Sequence, residues 1–379
     1  MRVLPSFIAI LTVTATALAQ QTWTVPTGAD LTSYIAAATP GDTLSLGGTH
    51  PPFTLTKGLH LNGYGTQIVP VQGGPTSTTI QIPAGERASL SRITFGSNTV
   101  VRGDVVVESC NSGAFAIASG TVLVRNSQFN GYGSVPLQVS GGTCSLVGCS
   151  VVGNDADGSG SVNSAPGLRQ TGGILWVSDC LVQGGSIGDR FGAPFGNSQP
   201  AFVSAGGQAF VVNSTLAGGD GTNYFGTLLY GSPAIFAGNQ VQFARCSLAW
   251  GAVPNQGSPA GNALAVPDLV SIRTTGFPNM NFAFQVSAIA GASQQMLVLA
   301  SSLQPTATAH PLAAQPVLGG GNGLVVERVL LTPAPGGALT SSFVIPFSPA
   351  LLNTCISWQA FQWTGTLVQA SPIVGVVIR

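Results

Sequence analysis

The chain has 379 residues, of which 12 are acidic and 12 basic, so only 6% are charged and the formal net charge is zero; an ordinary soluble domain carries about 25%. An apolar fraction of 44% excludes intrinsic disorder. A single Lys and eleven scattered Arg leave no basic stripe for a phosphate backbone, so no nucleic-acid partner is expected, and three His far apart in sequence leave little for zinc or proton shuttling.

In chain order, residues 1–19 come first. Arg2, an apolar run from Phe7 to Leu18 and Ala17-Leu18-Ala19 before Gln20 have the three-part layout of a cleaved secretory signal peptide. The run is shorter than the ~20 residues a spanning helix needs, and every later apolar stretch is broken by Gly, Pro, Asn or Ser. The expectation is a secreted or cell-surface protein beginning at Gln20, with no membrane span after cleavage. The six cysteines, at 110, 144, 149, 180, 246 and 355, are too sparse for a disulfide framework and lack paired C-x-x-C zinc spacing.

Next comes a short helix. Asp30 is its N-cap, Leu31, Ile35 and Ala38 share one face, and Pro40-Gly41 ends it. Such a helix covers the open apolar end of a solenoid. Strand-like DTLSL, FTLT and LHLNG follow it.

From residue 108 the chain repeats itself. The segments 119–131, 140–153, 171–185, 205–219 and 237–251 each place a Gly, or Asn239 in the last, seven residues before a small residue, with Phe, Leu or Val two positions after it. The small column is Cys110, Ser127, Cys149, Cys180, Ser214 and Cys246, at spacings of 17, 22, 31, 34 and 32. A second column, Pro136, Pro166, Pro200 and Pro233, runs in phase with it. Apolar residues two apart (Val122 and Val124, Leu175 and Val177, Phe210 and Val212, Val241 and Phe243) give a strand-like alternation. Short strands and Gly/Asn turns at this period, without helices, predict a parallel β-helix whose coils stack like residues in ladders. The Cys/Ser column is expected to pack as small apolar side chains.

The segment 29–69, a short helix followed by A-x-P-G-D-T-L, an aromatic strand and K-G-L-x-L-x-G-x-G, resembles the opening of right-handed parallel β-helix proteins of the pectin-lyase-like superfamily. The resemblance extends over about residues 22–251 and implies the fold. Because that superfamily includes lyases, hydrolases, adhesins and phage spikes, it leaves activity open. The polygalacturonase-like Asn-x-Asp, Asp-Asp and Gly-His-Gly motifs are missing from this chain. For a pectate-lyase-like mechanism Arg169 and Arg190 are the nearest candidate bases.

Three loops inserted into consecutive coils carry most of the chemistry-bearing side chains. Residues 153–166 hold Asn154, Asp155 and Asp157 in a Gly-rich turn, a calcium candidate or plain turn chemistry. Residues 185–200 hold Asp189, Arg190, Phe191 and Phe195, and residues 219–233 hold Asp220, Asn223, Tyr224, Phe225 and Tyr230. Aromatic plates beside carboxylates and amides suit a sugar face, so Phe191, Phe195, Asn223, Tyr224, Phe225 and Tyr230 are glycan-binding candidates; the alternative is aromatics packing their own loops. If the protein is an enzyme, Asp157, Asp189, Asp220 and Arg190 are its catalytic candidates, because glycoside hydrolysis needs two convergent carboxylic acids. No G-x-S-x-G elbow or P-loop is present.

After the repeats, 256–266 reads as a linker, and about seven apolar runs in 267–379 predict an antiparallel β-sandwich of jelly-roll type. The whole is expected to be all-β: signal peptide 1–19, right-handed parallel β-helix 20–255, then the sandwich. The function expected is a non-catalytic scaffold or adhesin binding polysaccharide or cell-surface glycan, without cofactor apart from calcium; the alternative is a polysaccharide lyase or glycoside hydrolase using the loop carboxylates.

Overall fold

The computed structural model describes residues 20–379 apart from 157–162, 191–192, 225–226, 238–239, 254–256, 267–268, 270, 276–282, 291–295, 303–305, 309–316, 320–324, 332–336, 345–354, 364–367, 372 and 379. The segment 1–19, expected to be a signal peptide, lies outside the described residues. No helix among them is long and apolar enough to cross a membrane.

The first two thirds form a parallel β-helix with three sheet faces per coil. In one coil, Thr121–Arg125 lies on a long face, Gln128–Asn130 on a second and Leu137–Val139 on a third, and Thr143–Val147 starts the next coil. Each strand pairs in parallel with its equivalents above and below. The core is made of ladders: Phe115, Leu137, Leu168, Phe202 and Ile235 on the third face, and Phe129, Val151, Val182, Leu216 and Leu248 on the second. Phe115 makes edge-on contact with Phe95 and Phe129 at 6.4 and 5.5 Å between ring centroids, which interlocks neighbouring coils.

The corner between the long and second faces explains the repeat grammar. Its turn residue is left-handed in coil after coil: Arg92, Ser109, Asn126, Gly148, Asp179, Asn213 and Arg245 all have φ between 47° and 63°. Asn, Asp and Gly tolerate this region, whereas Arg and Ser are held there by the stack. The next residue is the Cys/Ser column, whose side chains are packed in the core as expected and are hydrogen-bonded as well. Each side chain donates to the carbonyl two residues before it: Ser127 to Arg125 at 2.9 Å, Cys180 to Ser178 at 3.1 Å and Ser214 to Val212 at 2.8 Å. Each also joins coils, since the backbone N–H groups of Cys110 and Cys180 donate to Ser127 Oγ and Ser214 Oγ, both at 3.1 Å. Cys and Ser interchange because both are small hydrogen-bonding groups. Of the cysteines described, Cys110, Cys144, Cys149, Cys180 and Cys246 are free.

The helix Leu31–Ala37 closes the N-terminal end, with Asp30 accepting from Thr32 N at 3.0 Å. Lys57, the only lysine, donates to the carbonyls of Ala36 and Ala38 at the helix C-terminus, at 2.7 and 2.8 Å. Asp42 of the P-G-D segment binds the backbone N–H of Gln21 and Thr39 and the Trp23 indole. Burial raises its carboxyl pKa, but these donors outweigh burial and hold it below the ordinary value. His50 and His60 are both buried, His50 against the carbonyls of Ala29 and Gly47 and His60 against Ser89 Oγ.

The last rung corrects the domain boundary. Leu264–Ala265, inside the stretch read as a linker, pairs in parallel with Gln242 and Phe243. Beyond it the chain forms a two-stranded antiparallel sheet, Thr306–Thr308 with Val317–Gly319, and two larger ones. Ser271–Thr275, Ala283–Ile289 and Ala338–Val344 make one; Val325–Leu331, Met296–Ser302, Cys355–Trp363, Val368–Ala370 and Val374–Val377 make the other. The two face each other across Ala288, Ala290, Leu297 and Ala360 as a sandwich.

The sandwich lies against the side of the β-helix. The long-face strands are apolar outward as well as inward: Val106, Leu123, Trp176 and Phe210 occupy one outward register line, and Val147 and Val212 a second. Phe210 and Val212 point out, while Ala209 and Val211 line the core. The sandwich covers this outward surface. Val147 clusters with Ile272, Val286, Leu299, Trp358 and Val374, and Val106 and Leu123 cluster with Ile373 and Val377. Trp176 stacks on Phe210 at 4.4 Å, both buried with Leu269. A strand buried on both faces is continuously apolar, as VVV at 105–107 and VLV at 122–124 are.

Candidate functional site

The inserted loops leave the stack at the corner between the second and third faces, opposite the face that the sandwich covers. The loop 185–200 contains the hairpin Gly188–Arg190 with Ala193–Phe195, and the loop 219–233 the hairpin Thr222–Tyr224 with Thr227–Leu229. The outgoing strand of the first runs beside the incoming strand of the second. In both, the sequence between the two strands is Phe-Gly, at 191–192 and 225–226, outside the described residues.

The loop necks are closed by main chain. Gly219 N donates to Gln199 O at 2.8 Å and Ser232 N to Gly219 O at 3.0 Å. Glycine is required there: a Cβ on Gly219 would strike the Gly185 carbonyl, and one on Gly251 the Gly219 carbonyl. Side chains tie successive loops together, with Ser164 Oγ donating to Asn197 O and Ser198 Oγ to Tyr230 O at 2.9 Å.

The sequence-selected polar residues fall into this framework. Asn154 is buried and donates from Nδ2 to the carbonyls of Asp155 and Asn163, at 2.6 and 3.0 Å, which closes the base of its loop. Asp155, Ser186, Asp220 and Ala252 stand in one register column. Asp155 Oδ1 accepts from Ser186 N at 2.6 Å, Ser186 Oγ accepts from Asp220 N at 3.0 Å, and Asp220 Oδ1 accepts from Ala252 N at 2.6 Å. Asp155 and Asp220 are two coils apart with Ser186 between them, about 9.6 Å of backbone spacing at ~4.8 Å per strand, at the wide limit of a glycosidase pair. Arg169 lies on the third face in line with Gln138 and Val203, away from the loops. Asn223 and Tyr230 are exposed. Asp157, Phe191 and Phe225 lie outside the described residues, as do the side chains of Asp189, Arg190, Phe195 and Tyr224.

Carboxylate usage is uniform across the described residues. Besides Asp30, Asp42, Asp155 and Asp220, Glu86 accepts from Gly58 N at 2.6 Å and Asp104 from Thr121 N at 2.8 Å. Asp179 accepts from Ser178 Oγ at 2.9 Å, and Glu108 is ion-paired with Arg125 beneath the sandwich. All eight described carboxylates are engaged by the fold, six of them by backbone N–H groups. Among the described residues no group of three His, Cys, Asp or Glu side chains is gathered as a metal site. Burial pushes the Cys144 and Cys180 thiols well above their ordinary value and raises Cys246, so these are not thiolate nucleophiles.

Aromatic and amide side chains are open to solvent at this corner, beside the exposed Asp155, Asp220 and Leu228. Tyr132, in the G-Y-G turn one coil before Asn154, is 86% exposed and Tyr230 is 47% exposed. Trp250 follows in the next coil and donates to Gly257 O at 3.3 Å. Tyr132 and Trp250 were missed in the sequence reading, although Tyr132 precedes Pro136 of the proline column and was findable from its phase. Compared with known proteins, the chain matches no family model, no curated protein and no solved structure.

Proposed function

We propose that this protein is an exported, non-catalytic β-helix scaffold or adhesin that binds glycan along the loop-bearing corner. The observation that carries the reading is the division of labour there: the described carboxylates are spent on backbone N–H groups, while Tyr132, Asn223 and Tyr230 face solvent. A flat apolar ring beside an amide matches the face and hydroxyls of a sugar. Export rests on the signal-like residues 1–19, and kinship with the pectin-lyase-like superfamily on the motif at 29–69 together with the coil architecture.

The test is binding of the chain from Gln20 to immobilised neutral and uronate-containing polysaccharides, with reducing-end release followed in parallel, with and without Ca²⁺. Retention that weakens on Tyr132→Ala or Tyr230→Ala, without release, supports the scaffold. Release abolished by Asp189→Asn or Asp220→Asn would replace it with a carbohydrate-active enzyme.

A further inference from the structure

The seam between the β-helix and the sandwich is built more closely than a contact between two independent modules. Its apolar half is the outward ladder of Val106, Leu123, Val147, Trp176 and Phe210. Its polar half is a set of directed bonds from the β-helix to sandwich carbonyls: Ser145 Oγ to Ile373 O at 2.6 Å, Ser178 Oγ to Ile272 O at 3.3 Å, and Arg245 to Leu269 O at 2.7 Å. Ser145 occupies an outward position in the register line of Leu123 and Trp176, where the sandwich supplies the acceptor for its hydroxyl, whereas Ser178, in the line of Arg125 and Val147, also donates to Asp179 beside it. The Glu108–Arg125 ion pair is 2% exposed at both residues, and the seam around Arg125 is lined by Ile373, Val374 and Gly375. At Gly375 the approach is so close that a Cβ would overlap Leu123 Cδ1.

These features share one consequence. Removing the final strand with Ile373 would leave the charged pair, the Ser145 hydroxyl and the side chains of Val106, Leu123 and Val147 without part of their cover. We propose that the C-terminal strand Val374–Val377, with Ile373 and Ile378 beside it, is a strap that locks the sandwich onto the long face, so that the β-helix and sandwich open as one cooperative unit. The sandwich is then a lateral buttress, and it holds the loop-bearing corner facing the opposite way; it is not a separately swinging attachment module.

The experiment is native-state amide exchange and calorimetry on the full chain from Gln20. One calorimetric transition is expected, with amides of Val105–Val107, Val122–Val124 and Cys355–Trp358 exchanging through a common opening. Two transitions, or sandwich amides exchanging far faster than those of the long face, would overturn the proposal. Gly375→Val is expected to lower protection at 105–107 and 122–124 by roughly tenfold or more; unchanged protection there would also overturn it. Because Gly375→Val alone can misfold the sandwich, Leu123→Ala is combined with it. The smaller side chain makes room for the new valine, so the double variant should be better protected than Gly375→Val alone. A double variant that is worse than either single one would mean that the strap does not act through this contact.

Discussion

The long face and the loop-bearing corner are built by the same coils, and they use their outward positions in opposite ways. On the long face, outward residues are Val106, Leu123, Trp176 and Phe210, and all are buried. At the corner the outward residues are glycines, serines, carboxylates spent on backbone N–H groups, and exposed tyrosines. A parallel β-helix is held together by its inward ladders, which are apolar in both regions. The outward column is therefore free to be chosen for what lies outside: a second layer of protein on one side, solvent on the other.

The comparison is broken most severely at Trp176. Replacing it with Ala removes a fully buried ring stacked on Phe210 and is expected to cost about 3–5 kcal/mol, read by denaturant unfolding of the whole chain. Tyr132→Ala, the corresponding loss at the open corner, should stay within about 0.5 kcal/mol while weakening glycan retention. Equal costs would mean that the two regions do not differ as described. Of similar size is Arg125→Met, which strands buried Glu108 and should cost about 3–5 kcal/mol; Arg125→Met with Glu108→Leu should recover most of that.

The same contrast explains which parts of the molecule were legible in the sequence. The coil, its phase and the capping helix were readable because each rests on a local rule: a left-handed turn before a small residue, or an N-cap Asp before an apolar face. Facing was harder. QAFVV at 208–212 has apolar side chains on both sides of the strand, so spacing alone could not say that Ala209 and Val211 point in. That assignment needs the register with Leu175 and Val177. The sideways docking of the sandwich was signalled by the same doubly apolar strands, but a sequence gives no sign of which segment will cover them. The loop carboxylates looked like chemistry because a backbone N–H acceptor and a catalytic acid are the same residue type, and only the neighbouring coil distinguishes them.

A smaller effect is expected at the N-terminal end, where Asp42 joins the first rung to the helix cap. Its carboxyl lies below the ordinary value in the folded chain. Its contribution is therefore complete above the unfolded value of ~3.9 and disappears as pH falls through the lower folded value. Asp42→Asn should cost about 1.5–3 kcal/mol at neutral pH, and the gap from the unaltered chain should close on acidification. A gap that is constant down to the lowest accessible pH would show that the charge on Asp42 is not what holds the first rung.

The smallest effect discriminates most finely, at Cys180. Its Sγ donates to Ser178 O and accepts from Cys149 N at 3.3 Å, in a column where Ser127 and Ser214 do the same work with oxygen. Cys180→Ser keeps both bonds and should change stability by no more than about 0.5 kcal/mol. Cys180→Ala strands the buried Cys149 N–H, while Ser178 O keeps its bond from Gly148 N, and should cost about 1–3 kcal/mol. If the column were simply apolar packing the order would reverse, because alanine would be the better substitute for a buried thiol than serine. Denaturant midpoints of the two variants measured side by side therefore decide whether this corner of the coil is held by hydrogen bonds or by volume.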